Sequence, residues 1–518
     1  MKKIARLPPI LMPCLLASLL GTGAISNAVT ITVDGSADGT LSELAGNGTC
    51  DLREAIFAAN SDSPGGECAG GDGADTIDFA LEPYPTVIRV TQGTLVVSEA
   101  LTVVGPGSGD LLLFNQSIGG LFLIDDQTPG DVKAVNIHDM SLGAGGGGSG
   151  SIILNRESLN MDGVSCSDAS ASEGSCIFND TDGDLQISNS IFTGNRVAVG
   201  NEGGAISNRG SAIINNTEFR DNAAARGGAI SNRGSLSVVG GLFVNNGRTI
   251  FSATPLTISD ARFEDNGASG GAPSVLRCQG RIVCEIRNTE IVGNRGDRLF
   301  SIEGEATLQL IQSLIADNNP GTTTIPFLIS VPPQSMLLVE NSTIANNNLV
   351  TNTMVLEEDS ATLTLRNSTI ATSAPSPNTA ILANLDSILI IEGSIVAGHA
   401  NDLLTTEDPP FFVPSVTIND SILGTVNGTF SGDNNLLGVD PELGPLQDNG
   451  GPTLTMAISE TSPAVDLIPV GQSGCGSTIV LDQRGEPRPM GPGCDAGAFE
   501  QRDIDLIFGS GFELPVDN

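Results

Sequence analysis

Asp180, Asp182 and Asp184 form the densest acidic alternation in the chain, in a turn that contains Gly183. Carboxylates at every second position of a glycine-containing turn are the oxygen donors that Ca²⁺ takes. The remaining positions of an EF-hand loop do not follow, so these three residues stand alone as the calcium candidate, and no other cofactor is expected. His138 and His399 are the two histidines, far apart in sequence and without a nucleophile signature near either. No glycine-rich phosphate loop or dinucleotide fingerprint occurs. Arg53 beside Glu54 looks chemical, but a salt link within a cap is the simpler use of the pair. Arg209 and Arg233 are candidates of another kind. Each is the seventh residue of a copy of the same eight residues, Gly203–Gly210 and Gly227–Gly234, offset by 24 residues. Two like charges so placed belong in solvent, where they are the interaction candidates.

Those copies lead to the elements that position every candidate. A Phe-x-x-Asn signature recurs with its asparagines at Asn195, Asn222, Asn246 and Asn266, and continues with Ile for Phe at Asn294, Asn318 and Asn347. Versions without the Asn end at Ser373 and Gly398. The spacing stays between 20 and 29 residues. Between the signatures lie short alternating segments such as Leu185–Ile187, Ser211–Ile214, Thr307–Ile311, Met336–Val339 and Thr362–Leu365. Each offers only two or three inward apolar side chains, too few to stand alone. Stacked on its neighbours, each gains a hydrogen-bonded partner on both sides. A unit of this length built from several such segments is one coil of a parallel β-helix. Gly203, Gly204, Gly227 and Gly228 then turn corners, and stacked asparagines form amide ladders.

Composition sets the surroundings. The formal charge is −37, and Lys2, Lys3 and Arg6 all lie in a leader without acids, so its loss would take the charge to −40. Nucleic acid is excluded as a partner, and anionic lipid is repelled. The leader, residues 1–28, has an apolar stretch from Ile10 to Leu20 and small residues at Ser26 and Ala28, as a secretory signal peptide does. No integral membrane span is expected once it is removed. Trp is absent and Tyr84 is the single tyrosine, which counts against sugar binding by ring stacking. Eight cysteines remain after the leader, as four close pairs: Cys50 and Cys68, Cys166 and Cys176, Cys278 and Cys284, Cys475 and Cys494. Export and short loops favour these sequential disulfides, and the absence of any CxxC spacing argues against a metal site.

Three resemblances attach to these motifs. The GGA-[ILV] and FxxN repeat, strongest over Phe192–Asn266, resembles that of polymorphic outer-membrane proteins, bacterial surface β-helices implicated in adhesion. Cys50, Leu52, Arg53, Glu54 and Ala55, with Asp51 in place of Ser, resemble the CSLREA domain of bacterial β-helix proteins. Asp51 there reads as an N-cap, and Leu52, Ala55, Ile56 and Ala59 share one helical face that would cover the open first coil. Asp440 to Thr455, Ser462 to Asp466, Asp482 to Gly485, Arg488, Pro489 and Cys494 to Glu500 are similar to the choice-of-anchor Q domain that closes many secreted β-helices. Ile507 to Glu513 resembles a short C-terminal motif of some Gram-negative exported proteins.

The expected organisation is a signal peptide at 1–28, a CSLREA-like cap at 29–80, β-helix repeats at 81–433, a choice-of-anchor Q-like segment at 434–501 and a tail at 502–518. The fold class is all-β, a right-handed parallel β-helix with a short helical N-terminal cap and a C-terminal closing domain. The expected function is a non-catalytic exported surface or extracellular scaffold for adhesion, with an unidentified extracellular ligand. The alternative is a polysaccharide lyase or glycoside hydrolase acting in a groove along the rod.

Overall fold

A computed structural model describes residues 28–144, 151–198, 200–267, 273–318, 327–347, 352–407 and 413–502. The expected signal peptide, apart from Ala28, and the tail from residue 503 onward lie outside the described residues. Among the described residues the chain forms a parallel β-helix of about 12 turns, with most of its strands joined into a 40-stranded sheet.

One coil shows how the sequence makes the rod. Ile206–Asn208, Ser211–Asn215 and Glu218–Arg220 are three short strands separated by corners, and the chain then returns to begin the next coil at Ile230. Each strand pairs in parallel with its equivalent one coil on: Ile206 with Ile230, Ser211 with Ser235, Glu218 with Leu242. The coil therefore has three faces. Alternation decides what enters the core: Ala212 and Ile214 are buried while Ile213, between them, is exposed.

The repeated residues hold successive coils in register. Phe192, Phe219, Phe243 and Phe263 stack in the core with ring centroids 5.1, 5.0 and 4.5 Å apart. Beside them the FxxN asparagines form a ladder in which each Nδ2 donates to Oδ1 of the next, from Asn195 to Asn347, at 2.9–3.1 Å. Each backbone amide in that row donates to the same oxygen, as Asn222 N does to Asn246 Oδ1 at 3.0 Å. A second ladder, Asn155–Asn179–Asn208–Asn232, runs along another corner with bonds of 2.7, 2.8 and 2.7 Å. Every one of these amides is buried, so pairing is what makes asparagine tolerable there. The glycine pairs behave as the repeat requires. Gly203 and Gly227 have φ of +70° and +59°, and a Cβ on Gly204 would lie 2.0 Å from the Gly228 carbonyl oxygen.

At the N-terminal end the helix Leu52–Ser61 packs on the first strands, with Asp51 and Glu54 forming the capping box and Leu52, Ala55, Ile56 and Ala59 buried. Asn60 protects an edge: its Nδ2 donates to Val96 O at 2.7 Å and its Oδ1 accepts Ser98 N at 2.9 Å. The side chain thus takes the place of a neighbouring strand. Arg53 does not pair with Glu54. Its Nε donates to Asp38 Oδ1 at 2.7 Å and its Nη2 to Gly93 O at 2.9 Å, because the capping box already holds Glu54 against the helix start. All four disulfides follow the sequential pairing.

The C-terminal segment turns back along the rod. Gln312 Nε2 donates to Asp482 O, Asn341 Nδ2 to Leu481 O, and Thr343 Oγ1 to Gln483 Oε1. Ala498 N donates to Thr369 Oγ1 and Gly497 N to Gly393 O. The outer face it covers is marked by composition. Upstream coils present Glu218, Arg220, Arg262, Glu264 and Glu290 there, whereas Leu314, Ala316, Thr343, Ala345, Thr369, Ala371 and Ile395 follow and are buried. Small residues let the segment approach, and Met456 packs on Ala345 and Ala371. A buried ionic knot holds it. Arg488 sits 3.2 Å from Glu500 and donates to the carbonyls of Asp495 and Gly497, while Glu500 accepts the amides of Met490 and Asp495.

Candidate functional site

The corner that follows the buried asparagine ladder points outward, and it carries charge. Ile124, Asn155, Asn179, Asn208 and Asn232 align through the strand register. The next residue on each coil is Asp125, Arg156, Asp180, Arg209 and Arg233. Alternation along the first three lets one guanidinium serve two carboxylates. Arg156 Nη1 lies 2.9 Å from Asp125 Oδ2 and its Nε 3.1 Å from Asp180 Oδ2. Those hydrogen bonds, Asp125 first, hold its ionisation above the ordinary arginine value.

Arg209 and Arg233 are therefore on neighbouring coils, as the repeat implied, and neither is free. Arg209 turns to Glu173 at 2.8 Å and lies 4.8 Å over the Phe178 ring. Arg233 pairs with Glu202 at 2.8 Å and lies 5.2 Å over Phe251. Glu202 also accepts from Arg226 Nη1 at 2.7 Å and from Ser231 Oγ at 3.2 Å. Burial pushes the Glu202 carboxyl up, but the bonds from Arg226 and Arg233 outweigh it and leave it below the usual range. Both glutamates come from the loops that bring the chain back to start a coil, so the face is built from two corners at once.

Beside this row are two depressions with a common wall. One, about 350 Å³, has Phe122, Leu123, Leu154 and Phe178 on its lining, bounded by Glu173 and by the Arg156–Asp180 pair. The other, about 620 Å³, is lined by Asp125, Asp126, Asp131, Glu157, Asp180 and Asp182 around Arg156. Ligand oxygens of Asp125, Asp126 and Glu157 lie within 4.8 Å of one another. Most of these carboxylates are occupied. Glu157 accepts the amides of Asp126 and Lys133, Asp126 Oδ1 accepts Thr128 N, and Asp131 pairs with Lys133.

The acidic triplet is split by this arrangement. Asp180 and Asp182 line the acidic depression. Asp184 opens the strand Asp184–Ser188, its amide donating to Glu157 O and its carbonyl accepting Asn155 Nδ2, and it is not on the lining of that depression. The residues that join Asp180 and Asp182 are Asp125, Asp126, Arg156 and Glu157. A sequence signal for Arg156 is the dipeptide Asn-Arg, which recurs at 155–156, 208–209 and 232–233 along this corner and at 195–196 and 294–295 in the FxxN row.

The two histidines remain far apart. His138 ends the strand Ala134–His138. His399 is buried, its Nδ1 3.2 Å from Asp402 Oδ1, and Asp402 Oδ2 accepts Thr425 N. An open depression of about 570 Å³ between the last coils and residues 438–445 has Gly398, Gly424 and Thr425 on its lining, and neither His399 nor Asp402 reaches it.

No family model matches this chain, and no curated protein matches it. Solved structures similar to it include that of the PL6 family alginate lyase AlyGC, 11% identical, with a TM-score of 0.28, covering 71% of this chain and 87% of that chain. A point mutant of the same enzyme has a TM-score of 0.25 at 11% identity and the same coverage. Likenesses of this size say nothing about the chemistry of the present chain.

Proposed function

We propose that this chain is an exported, non-catalytic interaction scaffold of a Gram-negative cell, acting at the surface or outside it. Residues 1–28 would serve as the signal peptide, 29–80 as a CSLREA-like cap and 434–501 as a choice-of-anchor Q-like closing segment. The observation that carries the reading is the outward row Asp125, Arg156, Asp180, Arg209 and Arg233. It spreads charge, with Leu123, Leu154 and Phe178 beside it, across successive coils as one continuous face. Recognition that draws on many coils suits an extended partner. Four disulfides accord with an oxidising compartment. Among the described residues no helix is long and apolar enough to cross a membrane.

The test is to screen the secreted protein against acidic and neutral polysaccharides and against host and bacterial surfaces, recording both retention and depolymerisation. Retention without product supports the scaffold. Reproducible depolymerisation, abolished by one acidic substitution, overturns it in favour of a lyase or hydrolase.

A further inference from the structure

We propose that the paired depressions form a docking groove for a basic amphipathic peptide segment. Its apolar side chains would lie on Leu123, Leu154 and Phe178, and its lysine or arginine heads would reach Asp126 and Asp182. This deepens the scaffold reading and rests on it.

The two depressions share Arg156 and Asp180, so an occupant of one continues into the other. The first offers an apolar floor, and the second an excess of negative charge. Six carboxylates line the acidic side. Arg156 serves Asp125 and Asp180, Lys133 serves Asp131, and Glu157 is satisfied by two backbone amides. Asp126 and Asp182 meet no cation among the described residues, and Asp182 is exposed.

Complementarity then selects the partner. Nucleic acid and anionic polymers are repelled by such a wall. A lone divalent ion leaves the apolar floor unused, and a neutral sugar leaves the carboxylates unused. A lysine or arginine supplies an apolar stem and a cationic head together. An extended peptide advances ~3.3 Å per residue, so alternating apolar and basic residues reach both depressions within a short segment.

The test uses the full mature protein and a fluorescent octapeptide of alternating leucine and lysine, with a leucine–serine octapeptide as the uncharged probe. The leucine–lysine peptide is expected to bind in a salt-sensitive manner. The double substitution Asp126→Asn with Asp182→Asn should weaken it roughly tenfold, and Leu154→Ser should weaken both peptides. Glu460→Gln, at an exposed acid far from the groove, should leave binding unchanged, with thermal melting confirming that each variant is folded. Equal loss in the Glu460→Gln control would mean general attraction to an acidic protein and would overturn the proposal. Calcium bound at Asp126 and Asp182 without any peptide binding would also overturn it. If the peptides fail while other surfaces are still retained, the groove fails and the scaffold stands. Depolymerising activity would remove the scaffold instead.

Discussion

Arg209 and Arg233 occupy the same corner of adjacent coils, yet each is neutralised by a different glutamate: Glu173 for the first and Glu202 for the second, both at 2.8 Å. Parallel stacking puts like residues on top of one another, so a repeated cation needs a separate counterion on every coil. The return loops supply it.

Because Glu202 serves Arg226 as well as Arg233, its removal leaves two cations together. Glu202→Gln should nevertheless cost no more than about 1 kcal/mol, since both guanidiniums are over two-fifths exposed and solvent screens the pair. A double-mutant cycle with Arg233→Met, read by denaturant unfolding, measures the coupling. A coupling well above that size would show that the face holds the rod together.

The amide ladder should behave differently. Asn222 Oδ1 accepts two bonds from Asn195, and Asn222 Nδ2 donates to Asn246 and to Phe192 O, all in the core. Asn222→Ala leaves buried groups unpaired, at about 1–3 kcal/mol for each. Thermal unfolding should show a loss several times that of Glu202→Gln, and an equal loss would contradict the ladder's role.

Burial pushes the Glu500 carboxyl up to about 7 from an ordinary 4.5, despite Arg488 beside it, and raises Asp495 in the same way. The folded segment therefore holds protons that the unfolded chain has released. Stability falls as pH rises from about 4.5 to about 7 and is level above that. Hydrogen exchange over residues 482–500 should report the decline. Glu500→Gln should flatten its upper part even if it lowers the baseline, and an unchanged profile in that variant would rule Glu500 out.

Ala345 and Ala371 admit the closing segment because they are small. Ala371→Arg should displace residues 443–457 from the rod without unfolding the upstream coils. Limited proteolysis is expected to cut the segment first. Cooperative loss of both parts together would mean the segment is integral to the solenoid.

Much of this architecture was legible in the residues. The FxxN and GGAISNRG repeats carry the stacked Phe and Asn side chains themselves, so reading them was reading the core. Asp51 and the helical face from Leu52 to Ala59 were legible for the same local reason. The site was harder. Asp125, Arg156 and Asp180 are neighbours only through strand register, and the residues between them vary in number from coil to coil. Glu173 and Glu202 each directly precede the corner glycine of their coil, Gly174 and Gly203, six residues before Asn179 and Asn208. The next coil has Arg226 at that position, which hides the pattern. The seam under the closing segment has its sign in the residues as well: the outward position held by Arg220 and Glu264 becomes Ala316, Ala345 and Ala371.

That change of outer face divides the molecule into a part whose length is free and a part whose length is fixed. A coil inserted or deleted between Asn155 and Glu290 alters contacts only between neighbouring coils and leaves the closing segment, whose partners begin at Gln312, in place. A coil added between Gln312 and Gly393 moves Asn341, Thr343 and Thr369 away from partners some 130 to 140 residues later in the chain. A change in the number of coils is thus compatible with closure only in the half that displays the charged row. The reach of the binding face can change while the means of ending the rod stays the same.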